Sequence, residues 1–295
     1  MIKGLTYPAP GKLVSVNGHD MHVFSEGQGE KTFVFMAGGG TSCPALDFKP
    51  LWSLLSDKHK IVVVEKAGYG WSELARDSRD LDTILYESRE ALQLAGVNPP
   101  YYLVPHSMSG LEAIYWAQKY PSEVKAIIGL DPGIPDMYDV MKTPPMFVFH
   151  IIAFFTRLGV STQKPSALFA TCEKHLPSFQ STALTDDDRA MYVEIFRRST
   201  FTSDMLNEIK NIREYVKKPR QNPLPFDLPV YFFISNGEGM HGNGIKPEDW
   251  VKLQKNFLSN FKNVKYLELS CGHYVHSYEP AKIADEINAF VDGIN

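Results

Sequence analysis

Apolar strand-like segments alternate with amphipathic helix-like segments over the first 130 residues of this chain. Short runs rich in β-branched and aromatic residues occur at 32–36, 61–64, 101–104 and 124–130. Their nearly continuous apolar character is typical of parallel strands that are buried on both faces. Apolar residues at helical spacing separate these runs, for example between residues 80 and 94. The alternation predicts an α/β fold in which helices cover both faces of a mostly parallel sheet.

The alternation stops after Asp131 and resumes near residue 229. Between about residues 133 and 225 the sequence has helix-like stretches, several prolines and no convincing strand. A strand, a helix, another strand and a final helix then follow. We therefore predict an α/β core formed by residues 1–132 and 226–295, with residues 133–225 inserted as a helical cap.

Composition excludes several classes of function. The 30 Lys and Arg side chains against 34 Asp and Glu give a net charge of −4, so no general positive field would attract nucleic acid. The three cysteines form no C-x-x-C pair, which indicates neither a disulfide framework nor a zinc site and favours a reducing compartment. Because no apolar stretch of signal-peptide length occurs at the N-terminus, we expect a cytoplasmic protein, although a removed leader or anchor would leave no trace.

The candidate nucleophile lies where a strand-like run meets a helix. Residues 101–104 lead directly into PHSMSG at 105–110, and a helix-like stretch begins at once. A nucleophile on such a sharp turn needs small neighbours, and its hydroxyl then stands clear of the sheet. Ser107 is therefore the candidate nucleophile, with the backbone N–H of Met108 as one donor to an oxyanion. Turns of the S-x-S-G type also occur in purely structural contexts, so the motif needs support from other segments.

Two further segments supply that support. Three consecutive glycines at 38–40 follow an apolar strand, where backbone N–H groups can approach a substrate closely. We assign the second oxyanion donor to Gly39, with Gly40 as the alternative. His273 lies on a loop after the last strand and is the candidate general base, with His276 as the runner-up. No H-E-x-x-H or comparable spacing occurs, so we predict no metal site.

Taken together, these segments resemble the α/β-hydrolase fold superfamily over nearly the whole chain. The segments that carry the resemblance, in the order found in that family, are MAGGG (36–40), EKAGYGWS (65–72), LVPHSMSG (103–110), PVYFFISNGE (229–238) and CGHYVH (271–276). The sequence departs from the usual pattern at Ala37, where many members have His, and at Pro105, where the usual residue is Gly. The resemblance implies serine-dependent hydrolysis, for which we predict no cofactor, and the order Ser, acid, His along the chain.

The acid of this constellation has two candidates. Glu238 follows a predicted strand, at the place where most members carry the acid. Asp131 ends the strand after the nucleophile's helix, as the acid does in one subgroup of the haloalkane dehalogenases. Because an unpaired charge after a buried strand is costly, and because Glu238 lies in a glycine-rich loop, we prefer Asp131. Glu238 stays open as the alternative.

The nucleophile type limits the reaction. Dehalogenases and epoxide hydrolases of this fold would need Asp at position 107, whereas serine, a base and two backbone donors suit acyl transfer to water. The sequence therefore predicts a carboxylesterase for a small to medium hydrophobic ester, and the apolar run at 146–155 predicts a buried or pocket-lining helix. The expected substrate contacts are Gly40, Trp71, Phe147 and Ile151. Open alternatives are an aminopeptidase or amidase, a C–C hydrolase, a perhydrolase, and a non-catalytic small-molecule receptor.

Overall fold

A single sheet of eight strands organises the molecule, as the computed structural model shows over residues 6–75, 77–158, 167–238 and 244–294. The strand order is β1-β2-β4-β3-β5-β6-β7-β8. Strand β2 pairs antiparallel with β1 and with β4, and all other neighbours are parallel. The strands are β1 (Lys12–Val16), β2 (His19–Glu26), β3 (Thr32–Met36), β4 (Lys60–Glu65), β5 (Tyr101–Pro105), β6 (Val124–Leu130), β7 (Val230–Ile234) and β8 (Val264–Glu268). The predicted α/β fold is confirmed.

Helices follow the strands and cover the two faces of the sheet. They are α1 (Pro44–Asp47), α2 (Lys49–Leu55), α3 (Leu81–Leu94), α4 (Ser109–Lys119), α5 (Met137–Val140), α6 (Met146–Leu158), α7 (Ala167–His175), α8 (Asp186–Ser199), α9 (Ser203–Lys210), α10 (Ile212–Arg220), α11 (Pro247–Leu258), α12 (Val275–Tyr278) and α13 (Pro280–Asp292). Short 3-10 turns span Pro121–Glu123 and Pro177–Gln180.

The central strands are apolar throughout because both of their faces are covered. Along β3, Val34 and Met36 belong to one hydrophobic core, and Phe33 and Phe35 belong to the other. Successive side chains of a strand point to opposite faces, so this division places one core on each side of the sheet. All five residues of β3 are buried, which explains its continuous rather than alternating apolar sequence.

Six helices, α5 to α10, lie between β6 and β7. Within 131–158 and 167–229, the ranges described between those strands, no strand occurs. These helices cover the same sequence interval as the predicted cap, whose limits at 133 and 225 stay a prediction.

Buried charges fasten the inserted helices to the rest of the molecule. The Nζ of Lys66, which follows β4, lies 2.9 Å from a carboxylate oxygen of Glu208 on α9 and 2.6 Å from one of Glu112 on α4. The hydroxyl of Tyr69 also donates to Glu208, at 2.8 Å. Burial would lower the pKa of Lys66, but the two carboxylates outweigh that effect and raise it, so the ammonium stays charged.

Helix α6 differs from its sequence-based prediction. We expected a buried or pocket-lining helix, but Ala153 is its only buried residue. The helical period directs Phe149 and Ala153 toward the molecule, whereas Phe147 and Ile151 point to the opposite side and are exposed. An apolar run indicates that a helix is hydrophobic, but not which side its neighbours cover. Within the described ranges, no helix combines the length and apolarity needed to span a bilayer.

The buried network generates a prediction about stability. Glu208→Gln should lower the free energy of unfolding by about 3 kcal/mol, because it leaves the Lys66 ammonium buried with one carboxylate instead of two. Urea unfolding measures the change. The matched control is Glu214→Gln, which removes an exposed pair with Lys217 and should cost less than about 0.5 kcal/mol. Equal losses in the two variants would show that the buried network does not stabilise the fold.

Candidate active site

Ser107 stands on a strained turn between β5 and α4. Its φ of +54° lies in the left-handed region, which residues other than glycine rarely adopt. The backbone around it is held by two hydrogen bonds to its carbonyl oxygen, from the N–H of Gly110 at 2.9 Å and from that of Gly133 at 2.6 Å. A methyl group added at Gly110 would lie 2.2 Å from the carbonyl oxygen of Gly133, so glycine is needed there. The turn is thus rigid and closely packed.

Ser109 ties this turn to the neighbouring strand. Its buried Oγ lies 2.7 Å from the carbonyl oxygen of Met36 and 2.9 Å from that of His106, and it accepts the N–H of His106 at 3.0 Å. A small hydroxyl side chain therefore serves as a buried connector between β3 and the turn. This contact explains a small polar residue at position 109 in physical terms.

Asp131, at the end of β6, is the most completely satisfied carboxylate of the site. It is fully buried and has a φ of +48°. Its oxygens accept hydrogen bonds from the Ser235 N–H (2.9 Å) and Oγ (2.7 Å), Trp250 Nε1 (2.9 Å), Gln254 Nε2 (2.8 Å) and His273 Nδ1 (2.6 Å). Burial would raise the pKa of Asp131, but the hydrogen bond and charge of His273, followed by the bonds from Ser235, lower it overall. The carboxylate is therefore ionised at neutral pH.

His273 lies on the loop between β8 and α12 and is partly exposed. Because Asp131 is ionised, its contact with Nδ1 requires a proton on that nitrogen. The other nitrogen, Nε2, is then an acceptor that can take a proton from a neighbouring group. The pair therefore has the arrangement of a general base oriented by an acid.

Glu238, the alternative acid, lies elsewhere. Its side chain is exposed, and its backbone N–H donates to Oδ1 of Asn236 at 2.9 Å. Among the described residues it has no hydrogen bond or ion pair with His273. The structure thus brings Asp131, and not Glu238, to the imidazole.

Sequence reasoning missed His106, the residue before Ser107. It is buried, its Nε2 lies 3.2 Å from the carbonyl oxygen of His273, and the two rings are 4.6 Å apart between centroids. Burial, followed by the charges of His273 and His276, holds the pKa of His106 well below its usual value, so this imidazole is neutral. His106 therefore supports the His273 loop from below. Position 106, next to the nucleophile, was the only sequence signal for this role.

His276, the runner-up base, is also buried. Its Nε2 lies 3.3 Å from Oδ2 of Asp47, and its ring is 4.8 Å from that of His106. Asp47 also accepts the hydroxyls of Ser178 at 2.8 Å and Tyr192 at 3.1 Å, both from the inserted segment. His276 thus belongs to a second buried contact between α1 and the inserted segment, away from solvent.

The two candidate oxyanion donors lie together. Gly39 and Met108 both line the cavity that contains Ser107, and a methyl group added at Gly39 would lie 3.0 Å from Cε of Met108. No hydrogen bond within the described ranges uses the backbone N–H of either residue. Gly40 has a φ of +83° and packs under the ring of Phe201. It does not line this cavity.

The cavity over Ser107 has a volume of about 240 Å³. Its floor is formed by Gly39, Ser107 and Met108. The inserted segment contributes the walls, and most of their side chains are apolar: Met141, Phe149, Phe201, Ile209 and Ile212. Two exposed cations, Lys142 and Arg213, also line it. The cavity therefore combines a polar floor with an apolar enclosure.

Three expected substrate contacts do not line the cavity. Trp71 is buried, with its Nε1 3.2 Å from the carbonyl oxygen of Tyr7. Phe147 and Ile151 are exposed on the outer side of α6. The expectation for these residues is corrected, because Trp71 packs inside the core and the period of α6 turns the other two away. The residues that replace them come from α6, α9, α10 and the connecting segments, whose arrangement no local sequence pattern specifies.

The comparisons with known proteins agree with this geometry. The model of the family described as "alpha/beta hydrolase fold" matches residues 31–280. The chain belongs to the α/β-hydrolase fold family. The uncharacterized protein YbdG of Bacillus subtilis is similar, with 36% identity over 275 residues that cover 92% of this chain and 83% of that protein.

Solved structures show the same α/β-hydrolase fold. An epoxide hydrolase from Bacillus megaterium superposes with a TM-score of 0.68 at 17% identity, covering 95% of this chain and 100% of that one. A haloalkane dehalogenase loop variant from Bradyrhizobium elkanii superposes with a TM-score of 0.65 at 16% identity, covering 96% of each chain. At such low identity the likeness concerns the fold. Within the described parts of this α/β hydrolase-fold protein, no group of three or more His, Cys, Asp or Glu side chains could hold a metal ion.

Proposed function

We propose that this protein is a serine hydrolase that cleaves small to medium esters with an apolar part. The observation that carries the proposal is the 2.6 Å contact between His273 Nδ1 and the buried carboxylate of Asp131. This acid–imidazole pair lies beside a strained turn that presents Ser107 to a cavity with largely apolar walls. Nucleophile, base and acid together suit acyl transfer.

The proposed mechanism has two halves. The Oγ of Ser107 attacks the ester carbonyl while Nε2 of His273 takes its proton, and Asp131 stabilises the imidazolium that forms. The N–H groups of Met108 and Gly39 bind the developing oxyanion. The alcohol leaves with the proton from His273, and the acyl group stays on Ser107. Water then attacks the acyl-enzyme, with His273 again as base, and releases the acid and free Ser107.

Other chemistries find less support. In the dehalogenase and epoxide hydrolase mechanisms of this fold, a carboxylate occupies the place of Ser107. An aminopeptidase would need acidic groups for the substrate's amine, but the described cavity lining contains none. The acidic run at Asp186–Asp188 instead forms the first turn of α8, where Asp188 caps the helix and pairs with Lys49 at 2.7 Å. The lining therefore favours a neutral or anionic acyl substrate.

Ester hydrolysis tests the proposal. Wild-type protein should hydrolyse p-nitrophenyl esters in the series from acetate to decanoate, with a maximum below the longest chains because the cavity is small. Ser107→Ala should lower kcat by roughly 10³-fold or more, since no other group can form the acyl-enzyme. Released p-nitrophenol measures both. A folded wild-type protein with no activity on any ester would contradict the proposal and favour amide or C–C cleavage, or a receptor.

A pair of isosteric substitutions tests the acid. Asp131→Asn should lower kcat by about 10³- to 10⁴-fold, because a neutral amide cannot stabilise the imidazolium or fix its tautomer. Glu238→Gln is the matched control and should change kcat by less than about twofold, because its side chain is exposed and has no contact with His273. If only the Glu238 change removes activity, the assignment of Asp131 is wrong.

A further inference from the structure

The outward side of α6 is apolar although it faces solvent. We name as the outer face of α6 the five residues Phe147, Ile151, Phe154, Phe155 and Leu158. Their exposed fractions are 63%, 50%, 59%, 66% and 55%. At 3.6 residues per turn these positions fall on one side of the helix, opposite Phe149 and Ala153. A surface helix of a water-soluble protein normally shows the reverse pattern, so this face indicates an apolar binding surface.

The charges around this face are positive. Helix α6 contains no acidic residue. Arg157 is exposed near its end, and its guanidinium donates to the carbonyl oxygens of Thr200 and Phe201, which fixes the cation at the edge of the face. Lys142, four residues before α6 begins, is also exposed and has no ion pair in the described part of the chain. The edges of the outer face therefore complement a negatively charged surface.

The cavity of the candidate active site opens next to the same helix. Phe149, on the inner side of α6, lines the cavity and packs against Phe201, with ring centroids 5.0 Å apart. Lys142 and Pro144, just before α6, line it as well, together with exposed Arg213. A surface that covers the outer face of α6 therefore lies beside the entrance to Ser107.

We propose that α6 docks this protein on an anionic lipid surface, with its outer face inserted among the lipids and its axis parallel to the surface. With 13 residues the helix is too short to cross a bilayer, but apolar residues on one side and cations at the edges are the pattern of interfacial helices. Anionic headgroups attract such cations. A hydrophobic ester dissolved in that surface would then meet the cavity entrance directly, a consequence that rests on the proposed function.

Vesicle flotation with the full chain tests the docking. Wild-type protein should bind vesicles made of equal parts phosphatidylcholine and phosphatidylserine, and should bind vesicles of phosphatidylcholine more weakly. The double substitution Phe147→Ser with Phe155→Ser should weaken binding by roughly tenfold or more, because two large apolar groups no longer insert. The matched control is Leu74→Ser with Phe226→Ser, which changes exposed apolar residues elsewhere on the molecule and should leave binding unchanged.

Further arms separate this proposal from its competitors. Lys142→Gln with Arg213→Gln should reduce the preference for the phosphatidylserine vesicles, and salt should do the same for wild type. Ser107→Ala should bind as wild type does, so the docking can fail or succeed independently of the esterase activity. Absence of binding at low salt, or equal binding by the double Phe variant, would overturn the proposal. Self-association that only the double Phe variant abolishes, without vesicle binding, would instead assign the face to a second copy of the chain.

Discussion

The buried carboxylate of Asp131 is the interaction on which the site depends. A charge without solvent is costly unless donors surround it, and here five hydrogen bonds from four residues do so. The donors come from separate parts of the chain: Ser235 after β7, Trp250 and Gln254 on α11, and His273 after β8. The carboxylate therefore links the ends of three neighbouring strands, β6, β7 and β8. The position of the imidazole over the sheet edge follows from this arrangement.

The structure also shows how the nucleophile's turn is supported from below. Ser109 connects the turn to β3, and His106 supports the backbone of the His273 loop while staying neutral. The left-handed backbone at Ser107 is held by bonds to its own carbonyl oxygen. Strain at a single residue persists when its surroundings fix it in this way, and such strain is common at functional sites. The proposed role of Ser107 is consistent with this rigidity.

Local patterns in the sequence predicted the features that local chemistry determines. The continuous apolar residues of β4 and β5 predicted buried parallel strands, and the Asn-Gly pair at 17–18 predicted the β1–β2 hairpin, where both residues have positive φ. The small residues around Ser107 predicted a sharp turn. For the acid, the cost of a charge after a buried strand favoured Asp131, and the structure brings that residue to His273.

Features that depend on distant contacts could not be predicted in the same way. The apolar run in α6 suggested burial, but the contacts of the helix with α8 and α9 cover only one side of it. The cavity walls at Phe201, Ile209 and Ile212 come from helices whose packing no local pattern specifies. Likewise, Glu208 shows in the sequence as an ordinary acidic residue on a helix, and only the fold reveals that it is buried against Lys66.

The central claim is that Asp131 and His273 activate Ser107 as a nucleophile, and covalent labelling with a fluorophosphonate tests it most directly. The reagent needs no knowledge of the natural substrate, because it reacts with an activated serine as an acyl donor would. Mass spectrometry of the wild-type protein should show one adduct, mapped to Ser107, and His273→Gln should slow its formation by roughly 10³-fold or more. A folded protein that forms no adduct, or that labels equally fast without His273, would contradict the account.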